Sequence, residues 1–135
     1  MSCIKKIHFI SIVLNIRYKK KQMHELSVAL GIVKIAEDET AKARAKTVEL
    51  IELEIGTLAG IEFESLDFVW PSAVKDTVLE HAIKKIYKIE AKGQCVDCDT
   101  IFNMRHLYDA CPQCHSNFKG ILQGKELRVK ALEVV

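Results

Sequence analysis

No stretch of this 135-residue sequence approaches the ~18 consecutive apolar residues that a membrane-spanning helix needs. The longest candidate, from Ile7 to Ile16, is about half that length and is interrupted by His8, Ser11 and Asn15. Proline and glycine are scarce, at two and six residues, and neither an internal repeat nor a low-complexity tract occurs, which argues against fibrous and disordered classes. Gly56 to Gly60 is too short for a phosphate-cradling loop and lacks its lysine. A nucleophile–base constellation and an arguable pair of catalytic carboxylates are also missing, so the expectation is a protein that is not an enzyme. What is present suits one folded domain, or one domain with a small appendage: 49% of residues are hydrophobic and 28% charged.

Acid is absent from the first 22 residues, which carry Lys5, Lys6, Arg17, Lys19, Lys20 and Lys21. The net charge of +2 therefore hides a body, from Met23 onward, with 14 basic against 18 acidic residues, about −4. That body offers a polyanion little attraction, and nucleic acid is not an expected partner. The leader has a basic start and an apolar middle but no small-residue cleavage site. Residues 1–22 are expected to be disordered or a mis-called start ahead of Met23, with a membrane-touching basic arm and a targeting segment as the other readings. Cys3, within it, is read as a bystander.

Apolar spacing predicts a helix from His24 to about Ala45, with Leu26, Leu30 and Val33 beside Ala29, Ile32 and Ala36 on one stripe. Ile51, Leu53 and Ile55 alternate with Glu52 and Glu54, the pattern of a half-buried strand over 47–55. Phe63, Leu66, Trp70 and Ala73 return to helical spacing, and Pro71 predicts a kink or a fresh start. Residues 85–91 and the alternation of Leu127, Val129 and Ala131 predict two more strands. Phe68 and Trp70 are candidates for the core or for a partner surface. The expected fold is α+β, an α/β sandwich of two helices on a small mixed three-stranded sheet, with the segment 92–122 inserted as a separate zinc-ribbon-like lobe. The α/β domain then comprises 23–91 and 123–135.

Five cysteines occur, and four of them form Cys95-Val-Asp-Cys98 and Cys111-Pro-Gln-Cys114. Two residues between cysteines let both sulfurs reach one ion, and two such knuckles supply four thiolates in a tetrahedron, the arrangement of a closed structural zinc site. Four sulfurs leave no open position for a catalytic water. Iron in the same cage, as in a rubredoxin-like electron carrier, and two redox disulfides remain the alternatives. So short a segment buries little apolar surface, so the lobe is expected to need its metal to fold. His106 and His115 are loop residues that could enter the metal shell when neutral.

Met23-His24-Glu25 precedes the first helix and is unremarkable alone. In combination, the body resembles the HypA/HybF family of hydrogenase maturation nickel metallochaperones. The resemblance covers residues 23–135 and rests on Met23-His24-Glu25-Leu26-Ser27-Val28, Glu52-Leu53-Glu54-Ile55-Gly56, both cysteine pairs, and Gln123-Gly124-Lys125-Glu126-Leu127-Arg128-Val129.

It implies two metals with different roles: Ni(II) as transient cargo near Met23, His24 and Glu25, with Glu62 adding an oxygen, and structural Zn(II) on Cys95, Cys98, Cys111 and Cys114. It implies a cytoplasmic protein whose partners are the GTPase HypB, the nickel–iron hydrogenase large subunit and, in some organisms, urease accessory proteins. Imidazole and deprotonated backbone nitrogens favour square-planar Ni(II), whereas thiolates favour tetrahedral zinc, so the two sites are separable by donor softness. Two departures from the family pattern stand out. If Met23 is internal, its nitrogen is an amide and no terminal amine is available to nickel, and His115 stands where a glycine is common. The competing class is a zinc-ribbon module that binds protein or nucleic acid, and it gives Met-His-Glu no role.

Overall fold

The computed structural model describes residues 5–8 and 25–135. Met23, His24 and the remainder of the leader, with Cys3, lie outside the described residues. In chain order the elements are β1 (Lys5–His8), α1 (Glu25–Lys42), β2 (Val48–Gly56), α2 (Phe63–Val74), β3 (Ile83–Ile89), β4 (Ala91–Cys95), β5 (Ile101–Met104), β6 (Lys119–Gln123) and β7 (Leu127–Val134). Two sheets result, one of order β1-β7-β2-β3 and one of order β5-β4-β6. The expected α+β class holds: β3 runs parallel to β2, and β7 antiparallel, so the larger sheet is mixed. The three expected strands lie side by side in it, and β1 extends it along β7.

The larger core is where the alternation of β2 meets the two helices. Ile51, Leu53 and Ile55 are fully buried against Val28, Ile32 and Ala36 of α1 and Leu66 and Trp70 of α2. Each such side chain contributes about 1.5–3 kcal/mol by leaving water. The stripe expected on α1 needs correction. Leu26 and Leu30 are 43% and 50% exposed, and the buried face centres on Val28, Ala29, Ile32 and Ala36. The helix stops in a Schellman arrangement: Ala45 N–H donates to Thr40 C=O and Arg44 N–H to Ala41 C=O, with Arg44 at φ 55°.

α2 continues through Pro71 as one helical element, so the helix makes no fresh start there. Pro71 cannot donate to the Asp67 carbonyl, but both residues are exposed, so the freed carbonyl is left on the face where water can bond it. Trp70 is buried and Phe68 is 85% exposed, which divides the two aromatics between core and surface.

On β3 the residues facing the helices are Lys84, Ile86 and Lys88. The two lysines lay their stems along α2, with Lys84 Nζ 4.8 Å from the Trp70 ring and Lys88 Nζ 4.4 Å from the Phe63 ring. In β7 the strict alternation fails. A register shift opposite Glu52 and Leu53 inserts an extra residue, so that Val129, Leu132 and Val134 share the core face.

The second sheet has its own small core of Ala91, Cys95, Phe102, Met104 and Cys111, with Leu58 and Ile121 packed against it. The two sheets join where β2 ends. Gly56 N–H donates to Glu126 C=O and Leu58 N–H to Gly124 C=O, both at 2.7 Å. Thr57 completes the join through Thr57 N–H to Ile89 C=O and Ala91 N–H to Thr57 Oγ1.

Candidate metal centre

The four cysteines converge at the tip of the small sheet, and their sulfurs lie within 4.8 Å of one another. Two knuckles of the same construction bring them there. In the first, Asp99 N–H donates to Cys95 C=O and Cys95 N–H to Thr100 C=O; in the second, His115 N–H donates to Cys111 C=O and Cys111 N–H to Ser116 C=O. Asp99 and His115 hold equivalent left-handed positions, with φ of 61° and 62°. This explains why glycine suits the place that His115 occupies: only a residue without Cβ adopts that backbone freely.

The sulfur spacing fits an ion. A tetrahedron with ~2.3 Å metal–sulfur bonds has edges of about 3.8 Å, and Cys95 to Cys114 measures 3.5 Å, Cys98 to Cys111 3.6 Å. Cys95 and Cys111 are buried, while Cys98 and Cys114 face solvent. Their thiols are driven apart in acidity. The Thr100 side chain, then its backbone N–H, brings Cys98 down to about 6. For Cys114 the Ser116 N–H pulls downward, but the hydrogen bond with Cys95, burial and the other two sulfurs outweigh it and push the thiol up to about 12. Four sulfurs packed this tightly share protons, and a cation at their centre removes that crowding.

His106 and His115 do not join the group. His106 stacks on Tyr108 with ring centroids 4.9 Å apart, and its Nδ1 lies 3.5 Å from Asp109 Oδ1. Asp109 is held below the ordinary carboxylate range by the backbone N–H groups of Arg105 and then His106, which it binds as a turn cap.

Away from the cysteine group, the structure brings together two residues singled out from sequence. Glu25 opens α1 and Glu62 caps α2, and Glu25 Oε1 accepts a hydrogen bond from Glu62 N–H at 3.1 Å. Nothing in the spacing of 37 residues signals this contact; it requires the two helix starts to lie side by side. A groove of about 540 Å³ between Ile121 and Arg128 contains no cysteine or histidine and belongs to neither place.

A mixed sheet backed by two helices, with a four-cysteine lobe and two glutamates meeting where the helices start, is the architecture of a small metal-handling protein. A family profile described as hydrogenase/urease nickel incorporation, metallochaperone, hypA, matches residues 23–134. The hydrogenase maturation factor HypA of Parabacteroides distasonis is 47% identical over 112 residues, 83% of this chain and 97% of the relative. The factor of the same name from Azotobacter chroococcum mcd 1 is 42% identical, with 83% and 99% covered. The solution structure of the Ni metallochaperone HypA from Helicobacter pylori superposes with a TM-score of 0.61 at 27% identity, covering 84% of this chain and 98% of that one. The chain belongs to the HypA family of hydrogenase and urease nickel-incorporation metallochaperones, which are maturation factors and not enzymes. No helix among the described residues is long and apolar enough to cross a membrane.

Proposed function

We propose that the chain binds Ni(II) reversibly at Met23-His24-Glu25, with Glu62 adding an oxygen, and delivers it to the nickel–iron hydrogenase large subunit during maturation. The observation that supports this reading is the hydrogen bond from the Glu62 backbone N–H to the Glu25 carboxylate, which brings together two of the residues tied to nickel by resemblance. Nitrogen donors from a helix start with a nearby carboxylate make an accessible site, from which an ion can be passed on. Cys95, Cys98, Cys111 and Cys114 hold a structural Zn(II): an all-sulfur set of the observed spacing suits a permanently bound ion and leaves no position for cargo. The GTPase HypB is the partner that supplies energy, urease maturation is a second destination, and the setting is cytoplasmic. A zinc-ribbon interaction module would account for the cysteines and leave the paired acids without a role.

Calorimetric nickel titration of the zinc-loaded chain tests this. His24→Ala should weaken nickel binding on the order of 100-fold or more and Glu62→Ala less, on the order of 10-fold, with zinc content unchanged in both. Nickel binding by His24→Ala equal to that of the parent would refute the carrier reading.

A further inference from the structure

The two cysteine knuckles are built alike, and one hydrogen bond breaks the likeness. Asp99 and His115 fill one equivalent position, and Thr100 and Ser116 fill the next. Thr100 keeps its hydroxyl within its own knuckle, 3.1 Å from the Cys98 sulfur. Ser116 instead sends its hydroxyl across the lobe, donating to Asp97 Oδ2 in the middle of the first knuckle, 19 residues away in sequence. The direction of that bond is fixed. An ionised carboxylate accepts and does not donate, and the Ser116 oxygen itself accepts from Phe118 N–H at 3.1 Å, so the one hydroxyl proton points at Asp97.

Ser116 also sets both sulfurs of the second knuckle. Its C=O accepts from Cys111 N–H at 2.9 Å, and its N–H is directed at the Cys114 sulfur. Asp97 stands between Cys95 and Cys98 in the chain. The bond therefore runs from the centre of one cysteine pair to the residue that positions the other. It spans the same pairs as the 3.5 Å and 3.6 Å sulfur contacts. Charge makes the placement of Asp97 informative. A divalent ion on four thiolates leaves a net negative cage, which repels a carboxylate within the knuckle. The charge-assisted bond from Ser116 offsets that repulsion.

We propose that Asp97 and Ser116 form a clasp that holds the second knuckle on the first and slows the opening of the four-cysteine cage. Neither residue is a ligand; both are positioning residues for metal retention. The proposal rests on the reading of the four cysteines as a metal site. Loss of the ion requires the sulfurs of one pair to leave while the other pair still holds it, and the clasp resists that separation.

Transfer of zinc from the full, zinc-loaded chain to an excess of a chromophoric chelator at neutral pH provides the test. Asp97→Ala and Ser116→Ala should each speed release about 10-fold, the worth of one charge-assisted bond at an exposed place. Both substitutions break the same bond, so the double variant should also release about 10-fold faster and not about 100-fold. Ser116→Thr retains the hydroxyl and should release zinc at the parental rate. Cobalt-loaded forms of every variant should keep the parental absorption bands, so that faster release reports the clasp and not a lost sulfur. A parental release rate in Asp97→Ala overturns the proposal, as does a double variant that shows the product of the single effects. It is equally overturned if Ser116→Thr behaves as Ser116→Ala, or if the cobalt bands change in either alanine variant, since the residue then shapes the ligand set itself. A parent that takes up neither zinc nor cobalt refutes the metal-site reading and the clasp with it, a result distinct from all the others.

Discussion

Glu25 and Glu62, 37 residues apart, are joined by a 3.1 Å hydrogen bond from the Glu62 backbone N–H to the Glu25 carboxylate. The bond places a carboxylate at the positive end of α2, whose cap residue Glu62 offers no side-chain bond of its own. Glu25→Gln keeps an acceptor and loses the charge, whereas Glu25→Ala loses both. Because the contact is exposed, Glu25→Ala should cost about 0.5–1 kcal/mol and Glu25→Gln about half that, read from urea unfolding midpoints. If the same carboxylate serves the cargo ion, nickel affinity should fall in the same order. Equal stability of all three chains would show that the bond is not populated in solution.

His115 sits at φ 62°, where a side chain costs about 1–2 kcal/mol. His115→Gly relieves that strain but adds freedom to the unfolded chain, worth about 0.5–1 kcal/mol in the other direction. The net expectation is a lobe more stable by about 0.5–1 kcal/mol, with metal content unchanged because the imidazole is outside the sulfur group. Lowered metal affinity in His115→Gly would instead assign the imidazole a ligand role.

How far the sequence reveals this architecture depends on whether local pattern or long-range packing decides each element. Ile51, Leu53 and Ile55 are legible because a strand with one buried face must alternate, and they are all fully buried. The four cysteines are legible because their spacing is dictated by the reach of two thiolates to one ion. The orientation of α1 is not, since Leu26 and Leu30 are as apolar as Ile32, and which of them is buried is decided by long-range packing against the sheet and α2. Nor is the β7 bulge, which depends on its register against Glu52 and Leu53. Lys84 would be assigned to solvent by polarity, yet its side chain is only 16% exposed beside the Trp70 ring of α2. Of the residues tied to nickel by resemblance, Glu25 and Glu62 meet in space, and Met23 and His24 lie outside the described residues.

Metal removal should divide the molecule. Two of the five buried residues in the lobe's core are thiols, so chelation takes away both the cross-link and a large part of the packing. Amide signals of β4, β5 and β6 should collapse toward random-coil positions while those of β2 and α1, built on a separate core, persist. Loss of dispersion across the whole chain would mean instead that the join at Gly56 and Gly124 transmits unfolding.

Metal affinity should also depend on pH in two regimes. Cys98, at about 6, is a thiolate above that pH and must surrender a proton to the solvent below it; Cys114, at about 12, must lose one throughout. Binding therefore weakens as pH falls, and below about pH 6 it should weaken by a further tenfold per pH unit, measured by competition with a chromophoric chelator. Thr100→Val removes the leading cause of the Cys98 shift, returns the thiol toward its ordinary value and should move the break to higher pH. A break that stays at the same pH in Thr100→Val would remove that hydroxyl from the account.

The join between the two sheets tolerates no side chain. A Cβ on Gly56 would stand 2.0 Å from the Gly124 carbonyl oxygen and 2.6 Å from Lys125 N, and every one of those neighbours is backbone. One on Gly124, at φ 116°, would meet Ala91 Cβ at 2.4 Å. Relief requires the crossing segment 123–126 to move off β2 and to stretch the two 2.7 Å bonds that Gly56 and Leu58 make to it. Gly56→Ala and Gly124→Ala should therefore each destabilise the chain by about 3 kcal/mol. Gly120→Ala, which enters open space, should stay within about 0.5 kcal/mol of the parent. Urea midpoints of the three variants decide the matter. Similar values for all three would mean that the close approach of β2 to the 123–126 segment is not a tight packing constraint.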